Sequence, residues 1–198
     1  MHQNDIINLI TNNIVVLDKD LKFLFSPHNK NAQTSINRYL LKDRVCIEKD
    51  DPSYFLTLKK QFIKNIDVIN PLTFTVVRNP LDRFVSAFVY LQKNKKIDKK
   101  IDINEWTNTV FVNTGTIFDP HFAPQEKYHK PIIDLNFDHI INFDNLNRDW
   151  RLVAKKISAS ENLPHKNAGR KRIMELSKKS RKIIEDIYYE DFEMFEGL

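Results

Sequence analysis

The polar stretch Ser26-Pro27-His28-Asn29-Lys30-Asn31-Ala32-Gln33-Thr34-Ser35 lies between an apolar run at residues 21–25 and the segment Ile36-Asn37-Arg38-Tyr39-Leu40-Leu41. Read as a buried strand, a loop and a helix opening on hydroxyl residues, it makes the chain an α/β protein. The loop then leaves the C-terminal end of a strand, the edge at which open α/β sheets bind ligands. The first amides of a helix have no internal partners and carry the positive end of the macrodipole, so this geometry cradles an anion, and Lys30 adds a full charge. It is not the nucleotide-triphosphate loop, which needs two glycines and a lysine directly before the hydroxyl residue. An ordinary strand-to-helix connection capped by Thr34 or Ser35 fits the same residues.

The alternation recurs along the chain. Val45-Cys46-Ile47 reads as a short strand, and Ser53 as the cap of a helix with Phe55, Leu58, Phe62 and Ile63 on one face. Residues 72–77 form a β-branched strand ending at Arg78-Asn79-Pro80, where Asn79 caps a helix and Pro80 is its first residue. That helix buries Leu81, Phe84, Val85 and Phe88 and sets Arg83, Ser86 and Tyr90 on an adjoining face. Residues 93–100 are a charge run expected to be a solvated loop. Asp102 caps a further helix, and residues 113–125 read as a long loop holding two prolines, a type of segment often functional. A third strand at 139–143 leads, through an Asp144 or Asn145 cap, into a helix at about 146–157. A basic loop at 160–172 precedes a closing helix at about 177–188 and a last turn pinning Phe192 and Phe195 on the core. No assignment emerges for residues 5–16, which suit a short helix or an edge strand.

The chain has 198 residues and no visible linker or repeat, so a single domain is expected. A lone cysteine, Cys46, leaves no disulfide framework or thiolate metal pair and suits a reducing compartment. No signal-peptide layout or membrane-length apolar run is present, which points to a soluble cytoplasmic protein. The net charge of +5 favours an anionic partner without selecting one. The charge runs lack interleaved aromatics, so nucleic acid is not the expected partner.

Three features converge: a lysine loop before a helix, an arginine and serine at the next strand-to-helix junction, and a basic loop near the C-terminus. Together they resemble the sulfotransferases that use 3′-phosphoadenosine 5′-phosphosulfate (PAPS), in particular the carbohydrate (family 2) branch. Lys30-Asn31-Ala32-Gln33-Thr34-Ser35 resembles the 5′-phosphosulfate loop K-x-[AG]-[GSC]-[ST]-[ST], with Gln33 departing from the usual small residue. Residues 78–88, Arg78-Asn79-Pro80 through Arg83, Ser86, Ala87 and Phe88, match the 3′-phosphate motif R-x-P-x-x-R-x-x-S-[AG]-[FY]. Residues 119–125, 163–167 and 188–195 resemble further family segments in the same order.

The resemblance implies a P-loop-NTPase-like α/β fold, a central parallel sheet flanked by helices. It implies PAPS as donor, the bisphosphate PAP as product, no metal, and a saccharide or glycolipid hydroxyl as acceptor. It assigns Lys30 to the bridging oxygen and 5′-phosphate, with Asn31, Ala32, Gln33, Thr34 and Ser35 around it. Arg78 and Ser86 take the 3′-phosphate, and Arg83 a structural ion pair. Asn167, Gly169, Arg170 and Lys171 resemble, more loosely, a segment that closes over the nucleotide. For the base that takes the acceptor proton, His121 is the first candidate and His28 the second, with Asp119 and Glu126 as acidic alternatives; histidine's ordinary pKa of about 6.5 suits the task. A kinase on a related fold and a basic polyanion binder are the rival readings.

Overall fold

Side-chain alternation along the strands builds the first part of the molecule. In β1 (Val16–Asp18), β2 (Phe23–Ser26) and β4 (Leu72–Val77), every residue but Leu72 is buried, so both sheet faces are covered. One face carries Leu17 and Leu24 against Phe55, Leu58, Phe62 and Ile66 of helix α1 (Pro52–Ile69). The opposite face carries Val16, Phe23, Phe25, Phe74 and Val76 against Trp150, Val153 and Ala154, which lie on a second helix at Leu146–Lys156. Phe74 is the hub of that face, stacked on Phe25 at 4.8 Å and edge-on to Trp150 at 6.1 Å. Helix, sheet and helix make three layers.

The computed structural model describes residues 4, 7, 10–11, 15–32, 36, 45–46, 51–126, 137–162 and 174–197. The described strands form one five-stranded sheet in the order β3-β1-β2-β4-β5, with β3 at Val45–Cys46 and β5 at His139–Asn142. The expected parallel sheet is present as β2, β4 and β5, with Phe25 opposite Phe74 and Phe74 opposite His139. Two antiparallel strands, β1 and β3, extend it on one side. The apolar run at 21–25 is therefore shorter as a strand than its composition implies. Leu21 sits in the β1–β2 turn at φ 61°, and the strand starts at Phe23.

Several caps lie elsewhere than the sequence suggests. Helix α1 is capped by Asp51, which accepts from the Tyr54 N–H at 2.9 Å, instead of by Ser53, because Pro52 fills the first helical position directly after an aspartate. Strand β5 stops at Asn142, whose side chain accepts from the Asp144 N–H and starts a 3₁₀ turn at Phe143–Asn145 before the helix at Leu146–Lys156. Asn145 supplies no side-chain cap there.

The chain divides into two compact units. The sheet belongs to residues 1–77 and 131–167, and a helical unit is made by 78–130 and 168–198. In the helical unit α2 (Pro80–Lys93) starts as expected: Asn79 Oδ1 accepts from the Leu81 and Asp82 amides, and Pro80 opens the helix. Its core is aromatic. Phe84 lies 4.8 Å from Phe111 and 5.2 Å from Phe122, and Trp106 stacks on Phe122 at 5.2 Å. The segment 113–125 is less irregular than its prolines imply, folding into 3₁₀ turns at Gly115–Phe118 and Pro120–Phe122. The closing helix, α4 (Lys178–Ile187) when the helix at Leu146–Lys156 is α3, is capped by Ser177, and α5 (Tyr189–Glu196) follows.

Three expectations for this unit are corrected. The run 93–100 is not simply solvated: Ile97 is buried in the core and Lys96 is tied to Asp119. Arg83 is buried within α2, whereas Leu81 and Val85 are only half-buried. In α5 Phe192 packs against the core as expected but only half-buried, like Phe195, and the deeply buried residue is Asp191. Arg83 and Asp191 exclude water together because each is the other's counter-ion. No described helix is long and apolar enough to cross a membrane.

Candidate active site

The lysine loop leaves β2 at Ser26, whose carbonyl is held by the Thr75 hydroxyl at 2.8 Å. Lys30 and Ala32 have positive φ, 70° and 58°, alternating with residues of negative φ. Residues of alternating hand can line a concavity with backbone N–H groups, the loop form called a nest. Left-handed backbone is uncommon for side chains other than glycine, so the loop needs an anchor. Asn31 supplies it: wholly buried, it donates from Nδ2 to the Val76 carbonyl of β4 at 2.8 Å, while its N–H donates to His28 O. Beyond the nest the Ile36 N–H donates to Ala32 O at 3.0 Å, the spacing of a helical turn. Lys30 is half-buried. His28 is buried at 4% exposure, and its Nδ1 faces the Asn29 carbonyl at 3.0 Å, so that nitrogen carries the hydrogen.

In the helical unit, Arg78 and Ser86 are both half-buried, Arg78 two residues ahead of Pro80 and Ser86 in the second turn of α2. The main chain of Arg78 is gripped by Gln125: the Arg78 N–H donates to Oε1 at 3.0 Å and Nε2 donates to Arg78 O at 2.7 Å. Gln125 and Glu126 donate their own N–H groups to the two oxygens of Asp191, at 2.9 and 2.7 Å. Arg83 closes this buried set, with Nη2 3.7 Å from Asp191, Nη1 donating to His121 O at 3.1 Å, and its guanidinium over the Tyr188 ring. Burial pushes the Asp191 carboxyl above its ordinary range, and Arg83 and the two amides oppose that. Burial also pushes the Tyr188 phenol up, which keeps it a neutral donor to Phe122 O at 2.6 Å.

His121 stands on the 3₁₀ turn that Asp119 caps. Asp119 Oδ1 accepts from the His121 N–H at 3.0 Å and from its Nδ1 at 2.6 Å, and Oδ2 accepts from Lys96 Nζ at 2.8 Å. Burial alone would raise the Asp119 carboxyl. The hydrogen bonds from Lys96 and from the His121 amide and ring outweigh burial and hold it at about 2. Asp119 is thus ionised at neutral pH, fixes the hydrogen on Nδ1 and leaves Nε2 as the basic nitrogen. The Tyr90 ring packs against the imidazole at 4.5 Å, and the His121 side chain is 24% exposed.

The first unit thus carries a lysine loop at a strand end, and the helical unit an arginine gripped at its main chain and a carboxylate-oriented histidine. The sequence matches the model of the sulfotransferase family over residues 7–196. The chain belongs to the sulfotransferase family. No curated protein and no solved structure matches it. As a sulfotransferase it uses PAPS as donor and releases PAP.

Of the site residues expected for this sulfotransferase, Lys30, Asn31, Ala32 and His28 lie together on one loop, and Arg78, Ser86 and His121 belong to the helical unit. Gln33, Thr34 and Ser35, and the basic segment with Asn167, Gly169, Arg170 and Lys171, lie outside the described residues. Arg83 makes the ion pair expected of it. Sequence reasoning missed Lys96 as the partner of Asp119, Gln125 as the clamp on Arg78, and Asp191 as its support. The available signals were Ile97, an apolar residue inside a charge run, and the aspartate within Tyr188-Tyr189-Glu190-Asp191-Phe192, which a purely packing role for that segment does not require.

Proposed function

We propose that this sulfotransferase moves the sulfonyl group of PAPS to a hydroxyl of a saccharide or glycolipid acceptor, residues 1–198 acting as one domain in the reducing cytoplasm. The acceptor class rests on the likeness of residues 78–88 to the carbohydrate branch, and the compartment on the single cysteine. The donor is anionic at both ends of its nucleoside, and this chain offers a fitting group for each. The nest with Lys30 suits the 5′-phosphosulfate; Arg78, with Ser86, suits the 3′-phosphate, since a guanidinium can bind phosphate bidentately.

In the reaction the acceptor oxygen attacks sulfur, its proton passes to His121 Nε2, and the bond from sulfur to the bridging phosphate oxygen breaks. The electron pair of that bond leaves on the 5′-phosphate of PAP, where the Lys30 ammonium neutralises it in place of a metal cation. The observation that carries this reading is the 2.6 Å contact of Asp119 with His121 Nδ1, made by a carboxylate held ionised. His28 is the second candidate, a buried imidazole whose Nδ1 donates to the Asn29 carbonyl.

His121→Ala tests the assignment in an assay of labelled sulfonyl transfer from PAPS to a panel of saccharides. The account expects turnover to fall about 10²–10⁴-fold with PAP binding retained. Turnover equal to wild type removes His121 from the chemistry.

A further inference from the structure

Gln125 has no accessible surface, and its amide is matched atom for atom to the peptide groups flanking the Arg78 α-carbon. The two hydrogen bonds, 3.0 and 2.7 Å, fix the N–H and the C=O of one residue at once. They therefore fix the direction in which the Arg78 side chain leaves the backbone. A carboxylate could accept from the N–H but could not donate to the C=O, and an apolar side chain would leave both groups unsatisfied. Glutamine itself is held from behind: Asp191 takes the Gln125 N–H at 2.9 Å and the Glu126 N–H at 2.7 Å, and Arg83 faces Asp191 across 3.7 Å. Arg83 also holds the His121 carbonyl. One buried set of side chains thereby grips both Arg78 and the turn that bears His121.

We propose that Gln125 is a positioning residue for donor recognition: supported by Asp191 and Arg83, it presents the Arg78 guanidinium to the 3′-phosphate and so sets the enzyme's preference for a 3′-phosphorylated nucleotide. This rests on the assignment of Arg78 to that phosphate. A backbone free to shift would have to be ordered as the anion binds, and fixing it in advance removes that part of the cost. The effect belongs to the 3′-phosphate alone. Ligands without it gain nothing from Gln125.

The test is calorimetric titration of the full chain, and of its Gln125→Leu and Gln125→Glu variants, with adenosine 3′,5′-bisphosphate and with adenosine 5′-monophosphate. Wild type is expected to prefer the bisphosphate. In Gln125→Leu that affinity falls about tenfold or more, the consequence of two unpaired peptide groups, while monophosphate affinity stays within about twofold. Gln125→Glu, which keeps the acceptor and the volume, shows the same selective loss to a smaller extent and carries the test if the leucine variant does not fold. A variant that loses both ligands in equal proportion, or keeps the wild-type ratio, overturns the positioning role. Absence of any preference in wild type overturns the Arg78 assignment and this proposal with it, a result distinguishable from failure in the variants alone.

Discussion

Asp119 meets three donors with two oxygens, and its surroundings fix the sign of its effect on stability. Its carboxyl, depressed from 3.8 to about 2, binds protons less readily folded than unfolded, so it adds stability above the unfolded value and loses it as pH falls toward the folded one. The unfolding free-energy difference between wild type and Asp119→Asn should therefore narrow as pH drops from 3.8 to about 2. Urea unfolding at a series of acid pH values measures it, and a difference constant across that window would contradict the assignment. Asp119 and His121 were legible in the sequence as alternative bases within one short motif, but not as partners. Lys96 was not, since it reaches Asp119 from 23 residues away out of a run of charges that composition alone assigns to solvent. Gln125 and Asp191 were hidden for a related reason: a side chain that serves another residue's backbone leaves no pattern in periodicity.

At the scale of elements, junctions with local chemistry were readable and those without it were not. Asn79 followed by Pro80 announces a helix because cap and first turn involve adjacent residues. The β1–β2 hairpin carries no such notice, its left-handed turn residue being Leu21 where a glycine would have marked it. Helix α2 also anchors the aromatic core, with Phe84 packed against Trp106, Phe111, Phe122 and Tyr188. Phe84→Ala should cost about 3–5 kcal/mol, since a buried ring leaves a cavity that its aromatic neighbours fill only in part. Denaturant unfolding monitored by tryptophan fluorescence reads it; a loss below about 1 kcal/mol would mean that Phe84 is not a core residue.

For the whole molecule, the fold class was legible because strands with apolar runs alternate with helices, and the family was legible because its motifs fall in order along nearly the entire chain. The division into two units was not. Each is assembled from two separated stretches, 1–77 with 131–167 and 78–130 with 168–198, so order along the chain does not separate them. The net charge of +5 sets a general preference for anions and says nothing of which one. That selectivity is assigned to Lys30 and its nest and to Arg78 on its glutamine clamp. The most direct test of the account is calorimetric titration of the folded chain with adenosine 3′,5′-bisphosphate. The account predicts saturable binding at one site per chain, weakened by Arg78→Ala to about the affinity of adenosine 5′-monophosphate; a folded chain that binds no bisphosphate would contradict it.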